Sequence, residues 1–290
     1  MQRSLAPLLT SFLTLSLLAS CGGTGEQGTG GPGSGGSAGS STVGSGGSSG
    51  SGVPPGPGDG NWRKAFSKDG VGVSCEATYA EMTASGAPSL TSGKTTIFVG
   101  FQQYSNNQDP VFFRFDDEKK VYCEHHEHES PDARAHGITW DGGPKAYVVY
   151  TVTGGGTAFD SLAKGAWIDR YGDGGGSSKV AVVASVETAF GTVERATFVP
   201  AKRESGTKTN TLAPADAITV RTDGALEFTG NSAFAPLNPD KSVMCVPSTE
   251  YPAALDGMKG PSYLARFAPD LKTMSCASTA GCSLVTTPCP

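Results

Sequence analysis

The sequence is short of several features that would assign it to a familiar class. No apolar run reaches the roughly 20 residues that a helix needs to cross the hydrocarbon core of a membrane. Basic residues are not in excess, since 22 Lys and Arg stand against 27 Asp and Glu for a net charge of −5, which argues against a nucleic-acid partner. The spacings C-x-x-C and C-x-x-C-H do not occur, so neither a thioredoxin-like nor a c-type haem site is expected. Helical periodicity never exceeds two turns, which leaves β-strands as the expected main element.

The N-terminus has the pattern of an export signal, in which Arg3 precedes the Leu-rich run from Leu5 to Leu18. Residues Leu18-Ala19-Ser20-Cys21 then resemble the lipobox of bacterial lipoproteins. The resemblance implies that residues 1–20 are removed, and that Cys21 carries a diacylglyceryl thioether and a further acyl group such as palmitate. Two or more chains anchor a protein stably in a membrane. Because Gly22 replaces the Asp that retains lipoproteins in the inner membrane, we expect the outer membrane, on its periplasmic side or at the cell surface. An ordinary secretory signal is the alternative.

A low-complexity segment follows, and residues 21–60 are interpreted as a tether. Eighteen of the 39 residues from Gly22 to Gly60 are Gly and eight are Ser. Such a composition cannot bury enough apolar surface to offset its chain entropy, so we expect a disordered coil. Its r.m.s. span would be roughly 35 Å. Residues 61–290 are long enough for one sizeable core and form the predicted globular domain.

The globular domain is predicted to be all-β. Its apolar runs are short, β-branched and aromatic, and turn residues separate them. The clearest runs are Thr95–Val99, Val111–Phe115, Ala146–Tyr150 and Lys179–Val183. Single helical turns are predicted only at Asp160–Lys164 and Tyr251–Met258. The chain therefore reads as a series of antiparallel meanders.

A faint repeat runs through these strands. Its best copy spans residues 215–271, with a turn at Asp223-Gly224 and a closing strand at Tyr263–Phe267. A second copy spans residues 136–173 and closes at residues 166–173, and a partial copy spans residues 97–116. The pattern resembles the bacterial SBBP type of β-propeller repeat, which implies a propeller-like array. The spacing is irregular and fewer than the four blades of a closed propeller are visible, so the array would be degenerate or incomplete. A β-sandwich is the alternative fold.

Six cysteines follow Cys21, and an even number in an exported chain predicts disulfides. Fifteen pairings of six cysteines exist. Proximity in the sequence favours Cys282 with Cys289 and Cys245 with Cys276, which leaves Cys75 with Cys123.

All four histidines of the chain lie between residues 125 and 136, among Glu and Cys residues. They are His125, His126, His128 and His136. Imidazole, thiolate and carboxylate groups are ligands of Zn²⁺, Cu²⁺ or Ni²⁺. If the strand that contains Val121 continues through this segment, alternation places His126 and His128 on one face with Glu124. These two histidines can then chelate one ion, with His136 returning across a hairpin as a third ligand.

The two alternatives to a specific metal site are weak adventitious binding and an ordinary solvated loop of Glu and His with no role. A disulfide at Cys123 would remove its thiolate. The other face of the same strand would carry Cys123, His125 and Glu127.

The sequence contains no evident catalytic constellation, so a non-enzymatic role is favoured. The leading interpretation is an envelope-anchored lipoprotein whose domain is a binding or structural module for a protein or carbohydrate. Core packing is the favoured role of Tyr104 and Trp140, and contact with such a ligand is the alternative. A metal-binding lipoprotein that holds Zn or Cu at residues 123–136 is the second interpretation. The third is a secreted hydrolase, which would need one of the four histidines beside a Ser and an Asp.

Mass spectrometry of the mature native protein tests the anchor. We expect the N-terminal peptide to begin at Cys21 and to carry the lipid mass, because the thioether forms on that sulfur. Cys21→Ser should lose this mass, whereas Ser34→Ala in the tether should keep it. A free thiol at Cys21, or native protein released into the medium, would contradict the lipoprotein interpretation.

Overall fold

The computed structural model describes residues 58–128, 131–172, 178–203, 208–232, 234–245, 262–279 and 282–290. All of them belong to one compact unit, residues 48–290. The predicted signal peptide, Cys21, most of the tether and the helical turn predicted at residues 251–258 lie outside these ranges. Over the described ranges, no helix combines the length and apolarity required to span a bilayer.

Strands dominate the described ranges and two short helices interrupt them. The helices are α1 (Tyr79–Ser85) and α2 (Ala158–Leu162). The strands are β1 (Arg63–Phe66), β2 (Ser89–Ser92), β3 (Thr95–Tyr104), β4 (Asn107–Asp116), β5 (Lys119–His125), β6 (Ala133–Trp140), β7 (Lys145–Val152), β8 (Val180–Glu187), β9 (Thr192–Val199), β10 (Ala201–Lys202), β11 (Thr209–Asn210), β12 (Leu212–Pro214), β13 (Thr219–Val220), β14 (Leu226–Ser232), β15 (Ser262–Phe267) and β16 (Met274–Thr279).

The described strands form three sheets. The largest has ten strands in the order β1-β6-β7-β8-β12-β14-β15-β16, with β9 also paired to β8 and β13 to β14. A second sheet has the order β2-β3-β4-β5, and β10 and β11 form a third. Pairing is antiparallel except between β8 and β12. The predicted all-β class with antiparallel meanders is therefore confirmed, and the sheets are open, so they do not confirm a propeller.

The four-stranded sheet buries both of its faces because its strands alternate. Ile97, Val99 and Phe112 belong to a core that the large sheet shares. Phe98 and Phe113 point the other way, into a smaller core that includes Met82 of α1. The sheet thus forms a layer between the large sheet and α1.

Strand β8 is the central strand of the large sheet and is apolar on both faces. Val182, Ala184 and Val186 lie in the core that is shared with the four-stranded sheet. Ala181 and Val183 lie in a second core. That second core also contains Phe228 of β14 and Phe267 of β15.

The strands that were assigned to the repeat are confirmed in part. In the copy at residues 215–271, β13, β14 and β15 are neighbouring antiparallel strands. The copy at residues 136–173 is wrong in its last strand, because residues 166–172 form bends and no strand. There the Trp167 ring packs edge-on against Phe267, with ring centroids 5.6 Å apart, and its backbone N–H donates to Leu271. Burial of the indole has replaced strand pairing.

Helix α1 was not predicted, although the sequence contains its capping signals. The Thr78 hydroxyl accepts from the Glu81 N–H, and the Glu81 carboxylate accepts from the Thr78 N–H, which makes a capping box. Gly86 ends the helix with φ 72°. The helix has only seven residues, too few for periodicity to reveal it. The turn predicted at residues 160–164 corresponds to α2.

The six cysteines form three pairs, and one of the three predicted pairings is confirmed. Cys75 pairs with Cys123, with Cα atoms 5.6 Å apart. The other two predictions are wrong, because the pairs are Cys245 with Cys282 and Cys276 with Cys289. The C-terminal segment runs back along β16, where the Cys289 N–H donates to the Ser278 hydroxyl. This return places Cys289 beside Cys276, so spatial proximity overrides proximity in sequence.

Candidate metal centre

The histidine-rich segment begins where the pairing of β5 in the four-stranded sheet ends. Val111 of β4 is paired with His125, the final residue of β5. One residue later, the His126 N–H still donates to the Pro110 carbonyl at 3.0 Å. The chain then leaves the sheet, so strand alternation stops at His125 and does not continue to residue 128.

His125 lies between two groups of neighbours. Its Nε2 is 3.2 Å from the Tyr104 hydroxyl and 3.2 Å from the Cys75 sulfur. Its Nδ1 is 3.8 Å from Oδ2 of Asp109. This Nδ1 is buried and has no hydrogen-bond partner within the described ranges. The imidazole is therefore positioned with one nitrogen toward sulfur and the other toward a carboxylate.

His128 approaches the same carboxylate from the loop. Its Nδ1 is 3.6 Å from Oδ2 of Asp109, and its ring centroid is 4.9 Å from that of His125. The buried carboxylate of Glu127 accepts from the His128 N–H and from the N–H of Ala158, the first residue of α2. These bonds hold the loop against α2, while the His128 side chain stays 66% exposed and gives access from solvent.

Asp109 is the group that the sequence did not reveal as a site residue. Its side chain is only 5% exposed, and its Oδ1 accepts from the Asn107 amide at 2.6 Å. Burial raises the pKa of Asp109, and the nearby histidines oppose that rise. Burial, followed by the neighbouring His128, lowers the pKa of His125, and Asp109 acts in the opposite direction. The pairing of β4 with β5 brings this carboxylate to the end of β5, which no local sequence pattern indicates.

The distances among these three residues suit a shared metal ion better than direct hydrogen bonds. The two N–O separations, 3.6 and 3.8 Å, exceed the usual range of about 2.7–3.2 Å for a hydrogen bond. Ligand atoms about 2.0–2.2 Å from a tetrahedral Zn²⁺ lie about 3.3–3.6 Å apart. One ligand atom from each of Asp109, His125 and His128 lies within 4.8 Å of the other two. Small side-chain adjustments would therefore complete a three-ligand site.

His126 does not join this group, contrary to the predicted pairing of His126 with His128. Its buried ring lies between the Tyr150 hydroxyl at Nδ1 and the Gly191 carbonyl at Nε2, each at 2.7 Å. Since a carbonyl only accepts, Nε2 is the donor and Nδ1 accepts from Tyr150. Burial lowers the pKa of His126 to about 4. This histidine is part of the core.

His136, the predicted third ligand, is likewise committed elsewhere. Its Nδ1 donates to the Lys68 carbonyl at 3.0 Å, and its Nε2 accepts from the Thr151 hydroxyl at 2.8 Å. Burial lowers its pKa to about 4. Both ring nitrogens are satisfied, so His136 is not a ligand in this arrangement.

Three other residues that the sequence singled out also have defined surroundings. Cys123 lies in a disulfide, so no thiolate is available from it in this state. Trp140 is fully buried and its indole N–H donates to the Gly143 carbonyl, so it packs in the core, which is the role that the sequence favoured. Tyr104 is 43% exposed and lies beside His125. Throughout the described segments, none of the four histidines is hydrogen-bonded to a serine hydroxyl, as the hydrolase interpretation would require.

Replacing His136 with Asn tests the energetic effect of its burial. The folded protein favours the neutral ring, so an unfolded chain binds more protons between a pKa of about 4 and the ordinary 6.5. The free energy of unfolding must therefore fall as the pH falls through this window. Between neutral pH and about pH 4, we expect wild type to lose up to about 3 kcal/mol more than His136→Asn, measured by urea denaturation.

An exposed side chain that does not titrate supplies the control for this measurement. Leu284 is 57% exposed, and Leu284→Ala should keep the pH dependence of the wild type. If His136→Asn also kept it unchanged, the buried neutral ring would be contradicted.

The chain matches no known family model, no curated protein and no solved structure, so the geometry of the site itself is the basis for the function.

Proposed function

We propose that this protein is a lipid-anchored protein of the bacterial envelope, attached through Cys21, whose all-β domain binds a divalent transition-metal ion. Asp109, His125 and His128 are its ligands. The observation that supports this most directly is the buried carboxylate of Asp109, whose Oδ2 faces the Nδ1 atoms of two histidines. The tether would hold the domain away from the outer membrane.

A bound cation would offset the free-energy cost of burying the Asp109 carboxylate. A buried carboxylate is costly unless donors or positive charge surround it, and Asp109 receives a side-chain hydrogen bond from Asn107 at one oxygen. Burial lowers the pKa of His125, with Asp109 acting in the opposite direction, so burial disfavours the charged form of that ring. A neutral imidazole is, however, the form that binds metals.

The donor set favours Zn²⁺ or Cu²⁺, as the sequence predicted. Imidazole nitrogens with a carboxylate oxygen are typical ligands of both ions. Three protein ligands leave a fourth position of a tetrahedral Zn²⁺ open to water or to a ligand atom from a partner. This arrangement suits a binding or carrier role, and it does not require an enzymatic activity.

A binding module for a protein or carbohydrate is the second candidate. Its support is Tyr104, which is 43% exposed at the β3–β4 hairpin, beside the proposed metal site. An aromatic face at an exposed edge is suited to stacking on a sugar ring.

For the domain architecture, the packing of the four-stranded sheet face to face on the large sheet favours the sandwich-like alternative over a propeller array.

Metal titration of the full chain in a Cys21→Ser background tests the metal site. We expect the oxidised protein to retain one Zn²⁺ per chain after dialysis, and Asp109→Asn or His128→Gln to weaken binding by at least about tenfold, because each removes one ligand. Isothermal calorimetry measures the affinity, and elemental analysis measures the stoichiometry.

His136→Asn is the matched control, since it removes a histidine that lies outside the site. It should bind Zn²⁺ like the wild type. Unchanged affinity in both Asp109→Asn and His128→Gln would exclude this site, and sugar or protein binding that depends on Tyr104 without metal would favour the second candidate.

A further inference from the structure

The second nitrogen of His125 faces a disulfide. Cys75 precedes α1 and Cys123 lies in β5, and the Cys75 sulfur is 3.2 Å from Nε2 of His125. One ligand atom from each of Cys75, Cys123 and His125 lies within 4.8 Å of the other two. In the oxidised protein the two sulfurs are bonded to each other. Breaking that bond would let them separate around one ion that His125 also reaches.

We propose that reduction of the Cys75–Cys123 disulfide by a dithiol creates a second metal site, formed by the two thiolates and Nε2 of His125. It would bind a thiophilic ion, Zn²⁺ or Cu⁺. The proposal goes beyond the Asp109 site because it uses other ligand atoms. Both sites would use His125, so the redox state of the disulfide would determine which of the two binds the ion.

The chemistry is a thiol–disulfide exchange followed by metal binding. The dithiol transfers two electrons and two protons: its own sulfurs become a disulfide, and Cys75 and Cys123 become thiols. A divalent ion then displaces both thiol protons and binds the two thiolates. A positive ion beside the sulfurs favours the thiolate form.

Both sulfurs would stay close together after reduction because hydrogen bonds hold each backbone segment independently of the disulfide. The Cys75 N–H donates to the side chain of Gln102 at 2.8 Å. Two residues earlier, the Val73 N–H donates to the Phe101 carbonyl of β3. Cys123 is paired with Phe113 within the sheet. Both cysteines are half-buried, so their sulfurs are not sealed inside the core.

His125 is the reason that the two sites exclude each other. A neutral imidazole has one nitrogen with a free lone pair and one that bears a proton. An ion at the thiolates uses Nε2, so Nδ1 keeps the proton and faces Asp109 as a donor. An ion at Asp109 and His128 uses Nδ1 instead. Reduction would therefore move the ion from the nitrogen–oxygen site to the sulfur-rich one.

The other two disulfides provide an internal comparison. In the part of the chain that the structure describes, neither Cys245–Cys282 nor Cys276–Cys289 belongs to a comparable group with a histidine or carboxylate. All four histidines of the chain lie between residues 125 and 136. A reduced pair with an imidazole ligand is thus expected only at Cys75 and Cys123.

Co²⁺ binding to the full chain in the Cys21→Ser background, with and without a phosphine reductant, tests the proposal. The phosphine replaces the dithiol because it does not compete as a thiol for the ion, and its oxidation to the phosphine oxide takes oxygen from water. Only thiolate ligation gives an intense sulfur-to-cobalt charge-transfer band in the near ultraviolet. We expect one Co²⁺ per chain in both states, and the band only after reduction.

Three variants distinguish the thiolate site from the Asp109 site. Cys75→Ser/Cys123→Ser should lose the band under reducing conditions and keep oxidised-type binding. Asp109→Asn should weaken binding in the oxidised state at least about tenfold and keep the band. His125→Asn retains both cysteines and should weaken the affinity of the reduced site at least about tenfold, with circular dichroism confirming that each variant folds.

Each failure of the test has a distinct meaning. A reduced wild type with free Cys75 and Cys123 thiols but no band would overturn the thiolate site, as would a band that persists in Cys75→Ser/Cys123→Ser. A disulfide that resists the phosphine in the native protein would also overturn it, because the site requires access. Unchanged affinity of the oxidised protein in both Asp109→Asn and His128→Gln would instead refute the Asp109 site and leave the thiolate site unaffected.

Discussion

The register of β4 with its neighbours β3 and β5 determines which side chains enter each core and which reach the candidate site. Its register with β3 runs from Thr95 opposite Asp116 to Tyr104 opposite Asn107, and its register with β5 brings Val111 opposite His125. Because side chains alternate, the same strand supplies Phe112 to one core and Phe113 to another. A shift by one residue would exchange these faces and would also carry Asp109 away from the two histidines. Core and candidate site therefore depend on one register.

Much of the fold could be predicted from local patterns. The β-branched run at Thr95–Val99 lies within β3, and the runs at Val111–Phe115 and Ala146–Tyr150 lie within β4 and β7. Each has the composition of a strand that is buried on both faces, so periodicity and residue type were sufficient. The Asp223-Gly224 turn was equally local, and Gly224 has φ 82° there. By contrast, α1 has only seven residues between its caps at Thr78 and Gly86, and a helix of two turns is too short for periodicity to detect.

The candidate site was predicted only by composition, because its geometry depends on long-range pairing. Alternation grouped His126 with His128, but β5 ends at His125 and His126 turns inward to Tyr150. Asp109 joins the histidines only through the sheet. The cysteines show the same limit: the shortest loop, between Cys282 and Cys289, is not closed, since the C-terminal segment returns along β16 to Cys276. A single sequence does not encode such partners in any local spacing.

Strand β8 has a consequence for how the domain loses its structure. Its even-numbered residues from Val182 to Val186 lie in one core, and Ala181 and Val183 lie in the other. Neither core can melt while the other keeps its packing on this strand, so the two are linked through a shared backbone. Denaturation of the globular part should then be a single cooperative transition.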